Sequence, residues 1–215
     1  MHFWDRWHEE NSERFELGKS PFPLAKEFMP FLLKYRASTV LDLACGKGND
    51  ALYFARERRE VYALDISSTA LEILRDASDK LGLNNIHVCQ TDLASGIPFG
   101  DRTFSAVYSH LGLHYFDNPT TRFIFSEIAR VLQSGGLLTF NVKSTRDFRY
   151  GEGVRLDTDT YEADGHVRHF FDKKYAAELL VGWTVLLLEE YETQIAGSPG
   201  TSSFIKVIAT FGKNE

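Results

Sequence analysis

One short run, VLDLACGKGNDA (40–51), holds an acid, Asp42, two glycines, Gly46 and Gly48, and a small residue, Ala51. Gly46 to Ala51 fits G-x-G-x-x-A, the pattern that lets a nicotinamide or flavin dinucleotide lay its pyrophosphate on a helix start. Two more acids follow at the ends of strand-like runs, Asp65 and Asp92. Asp65 suits the ribose hydroxyls of a dinucleotide or of another nucleoside cofactor equally well. Asp42 separates the two, because a carboxylate there repels a pyrophosphate but attracts a ligand bearing an ammonium and a sulfonium. Asp92 can accept a hydrogen bond from the exocyclic amine of adenine. The set reads as a site for S-adenosylmethionine (SAM): the amino-acid end at Asp42 and the glycine loop, the ribose on Asp65, the adenine beside Asp92. Ala51 is then simple helix-to-strand packing.

Residues at strand ends can converge only if a sheet holds the strands in parallel. From residue 38 the chain alternates short apolar or β-branched runs with longer helical patterns, the signature of an α/β fold. Seven strands are expected: 39–44, 60–66, 86–92, 104–110, 136–143, 183–192 and 203–211. Crossover helices are expected over NDALYFARERR, SSTALEILRDASDKLG and PTTRFIFSEIARVLQSGG, with Ser67 or Ser68 and Thr120 as caps. DKKYAAELLV forms a last helix, and the Gly/Ser/Pro loop TQIAGSPGTS joins the final two strands as a hairpin. The predicted fold is a Rossmann-like, seven-stranded, mostly parallel sheet with helices on both faces and an antiparallel C-terminal hairpin strand. The expected plan over 1–215 is one domain. Residues 1–37 form an aromatic arm, a turn at GKSPFP and a helix; 38–143 form the cofactor-binding core; 144–171 form a lid or substrate insertion; and 172–215 form the last helix and hairpin.

The chain has 215 residues, enough for one substantial core and short for a dinucleotide domain plus a separate substrate domain. With 24 basic against 30 acidic residues it carries a net charge of -6 and has no global attraction for nucleic acid. Its two cysteines, Cys45 and Cys89, suit a reducing compartment, so a cytoplasmic location is expected. The N-terminal MHFWDRWHEE lacks a signal-peptide core and no window is apolar enough to span a membrane. The expected partner is a small-molecule substrate, with the chain a monomer or homodimer.

VLDLACGKG, VYALDISSTALEIL, TDLASGIPFGDRTFSAVYSHLGLHYF and EIARVLQSGGLLTFNVK resemble, in order and spacing, the successive motifs of class I SAM-dependent methyltransferases. FWDRW followed by GKSPFP, and RHFF before the last helix, are similar to the thiopurine and tellurite-resistance type, which act on small sulfur, selenium or tellurium nucleophiles. The resemblance implies methyl transfer to an S, Se/Te, O or N acceptor, with S-adenosylhomocysteine (SAH) as product. It implies that Ala44, Cys45, Asn49, Ile66, Leu93 and Ser109 join Asp42, Gly46, Gly48, Asp65 and Asp92 around the cofactor. The family's first glycine is Ala44 here, whose carbonyl still serves, and the acid usual after the Phe of strand four is Ser105.

His110 and His114 stand four apart, a spacing that puts two imidazoles on one helical face, but no third ligand accompanies them and no metal is expected. They read as floor residues of the transfer site and candidate bases, or as satisfied polar groups in a packed turn. Trp4, Trp7, Phe15 and Phe22 read as a flap over the cofactor, Trp7 on the cofactor and Trp4 on the substrate, or as an amphipathic arm filling a groove. Tyr150, Arg168 and His169, with Tyr161, His166 and Phe170, line the candidate lid or lie on a solvated insertion. Both cysteines read as small buried residues, since neither follows a proline as in cytosine-C5 enzymes, and YSHL is not the tetrapeptide of DNA-adenine enzymes. Three competing functions share the loop: a nicotinamide or flavin oxidoreductase, a non-catalytic SAM-binding module, and aminopropyl transfer, for which only Asp117 is at hand.

Overall fold

The structure, a computed structural model, describes residues 2–11, 20–194 and 199–212. Two helices, α1 (Phe3–Glu10) and α2 (Pro23–Lys34), precede an alternating series: β1 (Thr39–Leu43), α3 (Asn49–Arg56), β2 (Glu60–Asp65), α4 (Ser68–Lys80), β3 (Ile86–Gln90), β4 (Phe104–His110), α5 (Asn118–Val131) and β5 (Leu132–Lys143). Three short strands follow, β6 (Val154–Asp157), β7 (Thr160–Ala163) and β8 (His166–His169), then α6 (Lys173–Leu179), β9 (Trp183–Gln194) and β10 (Thr201–Phe211). The main sheet has seven strands in the order β3-β2-β1-β4-β5-β10-β9, and β6-β7-β8 form a separate three-stranded sheet. β1 to β5 pair in parallel, whereas β10 runs antiparallel to both of its neighbours. This is the expected Rossmann-like α/β architecture.

Burial on both faces explains why Val40, Leu41 and Leu43 of β1 and Phe104, Ala106, Val107 and Tyr108 of β4 are apolar. Leu41, Leu43 and Val107 point into a core with α5 and α6, while Val40, Ala106 and Tyr108 point into a second core with α2, α3 and α4. At the start of the β1/β4 pair, Ser105 donates to the Thr39 carbonyl at 2.9 Å and accepts from the Thr39 amide at 2.9 Å, so the residue at the family's acidic position pins two central strands. Strand order reverses between β1 and β4, and their carboxyl ends therefore open the crevice in which ligands of such sheets bind.

The N-terminal aromatic arm is a helix, with His2 and Asp5 forming a capping box around its first turn. Ser67 caps α4, as one of the two expected serines, but Asp117 and not Thr120 caps α5: its carboxylate accepts from the Thr120 amide at 2.9 Å. That helix also stops at Val131, earlier than its expected span, since Leu132 is extended and already pairs with Phe104. Residues 144–171 carry three strands that the sequence reading did not place. Phe15, the start of GKSPFP and the middle of TQIAGSPGTS lie outside the described residues. Among the described residues no helix is long and apolar enough to cross a membrane.

Candidate active site

The carboxyl ends of β1, β2 and β4 border a cavity of about 1060 Å³, walled further by β5, β9 and β10 and roofed by α1. The loop after β1 reaches it through two left-handed glycines, Gly46 (φ 55°) and Gly48 (φ 75°). A methyl on Gly48 would come within 2.4 Å of Leu74, so the glycine lets the loop lie directly on α4. Ala44 is also left-handed, at φ 54°. Its methyl fits because a β-carbon on Gly112 would come within 2.5 Å of it, and Gly112 has none.

Asp65 braces the loop, accepting from the Gly46 amide at 2.8 Å and from the Ser67 amide at 2.9 Å. Burial nonetheless holds its carboxyl above the ordinary range, outweighing those bonds. Asp42 is 2% exposed, and burial, then Asp50 and Asp65, raise its pKa well above the usual value. Asp50 is raised by burial to about 6 while accepting from the Tyr108 hydroxyl at 2.6 Å and the Phe22 amide at 2.8 Å. Three buried carboxyls on one wall repel each other and favour a cationic ligand. Asp92 caps its own short turn through the Ala94 amide at 2.9 Å and is an exposed member of the cavity lining. Ala44, Cys45, Asn49, Ile66 and Leu93 line the cavity as well.

Trp4 and Trp7 line the cavity from α1, and Phe22 from the start of α2. The Trp4 ring lies edge-on to Tyr115 at 4.6 Å, and Asp5 ties the helix to the start of α4 by accepting from the Ser67 hydroxyl at 2.8 Å. His8 sits over the loop, its Cε1 3.4 Å from where a Gly46 β-carbon would stand, and burial lowers its pKa to about 4.

His110 ends β4 and stacks on Phe22 at 4.2 Å, and burial lowers its pKa to about 4. His114 lies beyond the left-handed Leu111 in a separate 3-10 turn, so the two imidazoles do not share a helical face. It is 2% exposed and its Nδ1 has no hydrogen-bond partner. Burial first, then Lys143, His166, Arg168 and His110, lower its pKa well below the usual histidine value. Both histidines are neutral lining residues. Among the described residues no group of three His, Cys, Asp or Glu could hold a metal ion.

Three expected site residues stand elsewhere. Ser109 is buried beneath the loop, donating to the Leu43 carbonyl at 2.9 Å. Tyr150 turns out to Asp159, its hydroxyl 2.6 Å from the carboxylate. His169 is packed between Phe171 and Tyr175 at ring distances of 4.9 and 4.8 Å. Arg168, its neighbour on β8, does line the cavity, since successive strand residues face opposite ways. His8, Asp50, Lys143 and Arg149 also line it and were missed. Only Lys143 had a local signal, its position at the end of a predicted strand.

Residues 40–136 match the family described as a methyltransferase domain. An uncharacterized methyltransferase of Synechocystis sp. is 34% identical over 102 residues, covering 46% of this chain and 43% of that protein. The ubiquinone/menaquinone biosynthesis C-methyltransferase of Haemophilus ducreyi is 36% identical over 107 residues, covering 48% and 40%. The chain thus spans less than half the length of these two relatives. Among solved structures, a SAM-dependent methyltransferase from Methanosarcina mazei superposes with a TM-score of 0.74 at 21% identity, covering 86% of this chain and 98% of that one.

Proposed function

From the premise that this chain carries a class I SAM-dependent methyltransferase domain, we propose that it transfers the methyl group of SAM to a small-molecule acceptor held in the same cavity. The observation that carries the reading is the acidic wall of Asp42, Asp50 and Asp65 beside the glycine loop. Burial and mutual repulsion disfavour the ionised forms of these carboxyls, so the ammonium and sulfonium of SAM would stabilise them and the pyrophosphate of a dinucleotide would oppose them further. Asp42 and the backbone at Ala44 and Gly46 would hold the amino-acid end, Asp65 the ribose, and Asp92 with Leu93 the adenine, under Trp7. Gly48, Asn49, Cys45 and Ile66 would shape the walls of that site, and Ser109 supports the loop from below.

Bound SAM supplies an electrophilic methyl, so the chain's own task is to align the acceptor, exclude water and, where needed, accept a proton. Trp4 and Trp7, which line the cavity from α1, would exclude water. Neutral His110 and His114 are available to receive a proton from a thiol, hydroxyl or amine, and a soft acceptor already ionised needs neither. The cavity extends past the cofactor residues to Lys143, Arg149 and Arg168, which favours an enzyme over a binding module. The acceptor is taken as a small S, Se/Te, O or N nucleophile, the partner set as that substrate alone with no nucleic acid, and the chain as a single domain acting as monomer or homodimer. Two unpaired cysteines support a cytoplasmic setting.

Calorimetric titration with SAM, SAH and NAD tests the reading. Binding of SAM and SAH without NAD is expected, followed by SAH release with thiol, selenite, tellurite, hydroxyl or amine acceptors. NAD binding in place of SAM would overturn it.

A further inference from the structure

The cavity is electrically divided. Its cofactor wall carries Asp42, Asp50 and Asp65 against one cation, Lys47, which is held by the Asn11 carbonyl, whereas the wall contributed by the end of β5, the following segment and β8 presents Lys143, Arg149 and Arg168. Each of these cations is matched by an acid that stands behind it and outside the lining. Lys143 pairs with Asp147 at 2.6 Å, Arg149 with Glu152 at 3.1 Å, and Arg168 with Asp164 at 2.7 Å and Glu152 at 3.5 Å. The cationic groups thus line the cavity while their counter-charges lie behind it, a polarity that serves an incoming anion.

Two buried polar atoms on the same wall make no hydrogen bond. The Arg168 side chain is 11% exposed, and its buried Nη1 makes no hydrogen bond, only the 3.5 Å ion pair with Glu152. His114 is 2% exposed, with its Nδ1 likewise without a hydrogen bond. Buried polar atoms in folded proteins are nearly always satisfied, and a guanidinium nitrogen on a cavity wall held by one long ion pair has room for the hydrogen bond of a ligand. Of the remaining acids of the lining, Glu27 and Glu189 both close on Lys206, and Glu192 is exposed on β9.

Resting on the methyl-transfer reading, we propose that the acceptor is an organic acid whose carboxylate or similar oxyanion seats on Arg168, Arg149 and Lys143. Its nucleophilic atom then points toward the acidic, cofactor half, beneath His110 and Tyr115. A planar, forked guanidinium favours a planar bidentate anion over a neutral amide of the same shape.

The test is calorimetry on the full chain, with and without saturating SAH. Benzoate, benzenesulfonate and phenylphosphonate are titrated against neutral benzamide. At least one anion is expected to bind tenfold or more tightly than benzamide. Arg168→Gln and Arg149→Gln are each expected to reduce that preference at least threefold while the dissociation constant for SAH changes less than twofold. Arg149 is partly exposed, so its variant reports even where Arg168→Gln fails to fold. Equal binding of anions and benzamide, no binding of any probe, or an anion preference that survives both substitutions overturns the proposal. A purely structural role for the arginines would lower the melting temperature without moving the anion-to-amide ratio. Failure of SAH to bind overturns the methyl-transfer reading instead, and the SAH-free titration then decides the anion site on the same criteria.

Discussion

Replacing Asp65 by Ala removes the acceptor from two amides at once, Gly46 at 2.8 Å and Ser67 at 2.9 Å. Hydrogen bonds to a charged group contribute about 1.5–3 kcal/mol each. Their joint loss is partly offset, because the same substitution removes a carboxyl that burial disfavours in its charged form. A net destabilisation of about 3 kcal/mol is expected, which for a chain of this size lowers the melting temperature by about 6–12 °C. Asp65→Asn keeps one acceptor oxygen and sheds the buried charge, so its cost is about 1 kcal/mol, the value of one ordinary hydrogen bond. Both variants lose the carboxylate assigned to the ribose, and a SAM affinity weaker by tenfold or more, about 1.4 kcal/mol, is expected for each. Differential scanning fluorimetry without ligand, followed by calorimetric titration of SAM, separates the two effects. An alanine variant melting within 2 °C of the wild type, about 0.5–1 kcal/mol in a chain this size, would refute the brace. Unchanged SAM affinity in both variants would refute the ribose assignment.

Binding of SAM and SAH without NAD, and of the anionic probes over benzamide, are two expected outcomes. A third concerns pH: burial keeps His110 at about 4 in the folded chain, whereas an unfolded histidine titrates near 6.5. The unfolded state therefore takes up more protons between those values, and stability that is full above about 6.5 falls as pH drops toward 4. His110 alone accounts for about 2 kcal/mol between pH 7 and 5. His169 acts in the same sense, and Asp50, raised to about 6, acts against it. His110→Asn should flatten the fall in melting temperature over that range, and an unaltered slope would contradict the burial argument. In the loop, Gly112→Ala forces a methyl within 2.5 Å of that of Ala44 and should cost about 1–3 kcal/mol in chemical denaturation. Adding Ala44→Gly should recover part of it, and a double-mutant cycle with no coupling would remove Ala44 as the clashing partner.

The parts of this molecule legible in the sequence are those whose cause is local. β1 and β4 announce themselves because burial on both faces favours short apolar runs, Val40 with Leu41 and Ala106 to Tyr108, and the glycine loop because left-handed backbone favours glycine at Gly46 and Gly48. β6 is invisible by the same logic: all four of its residues are exposed, so no apolar pattern marks it. α1 is short and aromatic, and its helical state depends on a His2–Asp5 cap that resembles no common sequence signal. In the site, the acids at strand ends could be found from topology alone. His8 and Arg149 could not, because what brings them to the cavity is packing between segments far apart in the chain, and Asp50, though two residues after Gly48, has no local signal that its side chain is buried there. Tyr150 and His169 show the complementary limit. Membership of a segment says nothing of facing, and on β8 one residue separates Arg168 in the lining from His169 in the core.

The placement of β10 inside the sheet, between β5 and β9, sets an order of assembly. Elements from β1 to β5, with the glycine loop and its three acids, leave the ribosome first and can pair among themselves. β9 is made before β10 yet has no neighbour in the sheet until β10 arrives. The wall carrying Tyr191, Phe204 and Lys206 therefore closes last, and the chain holds a formed cofactor half beside an open edge of β5 while it waits. Any truncation before Thr201 would make that interval permanent, leaving an unpaired edge on β5 and a stranded β9, both of them templates for aggregation.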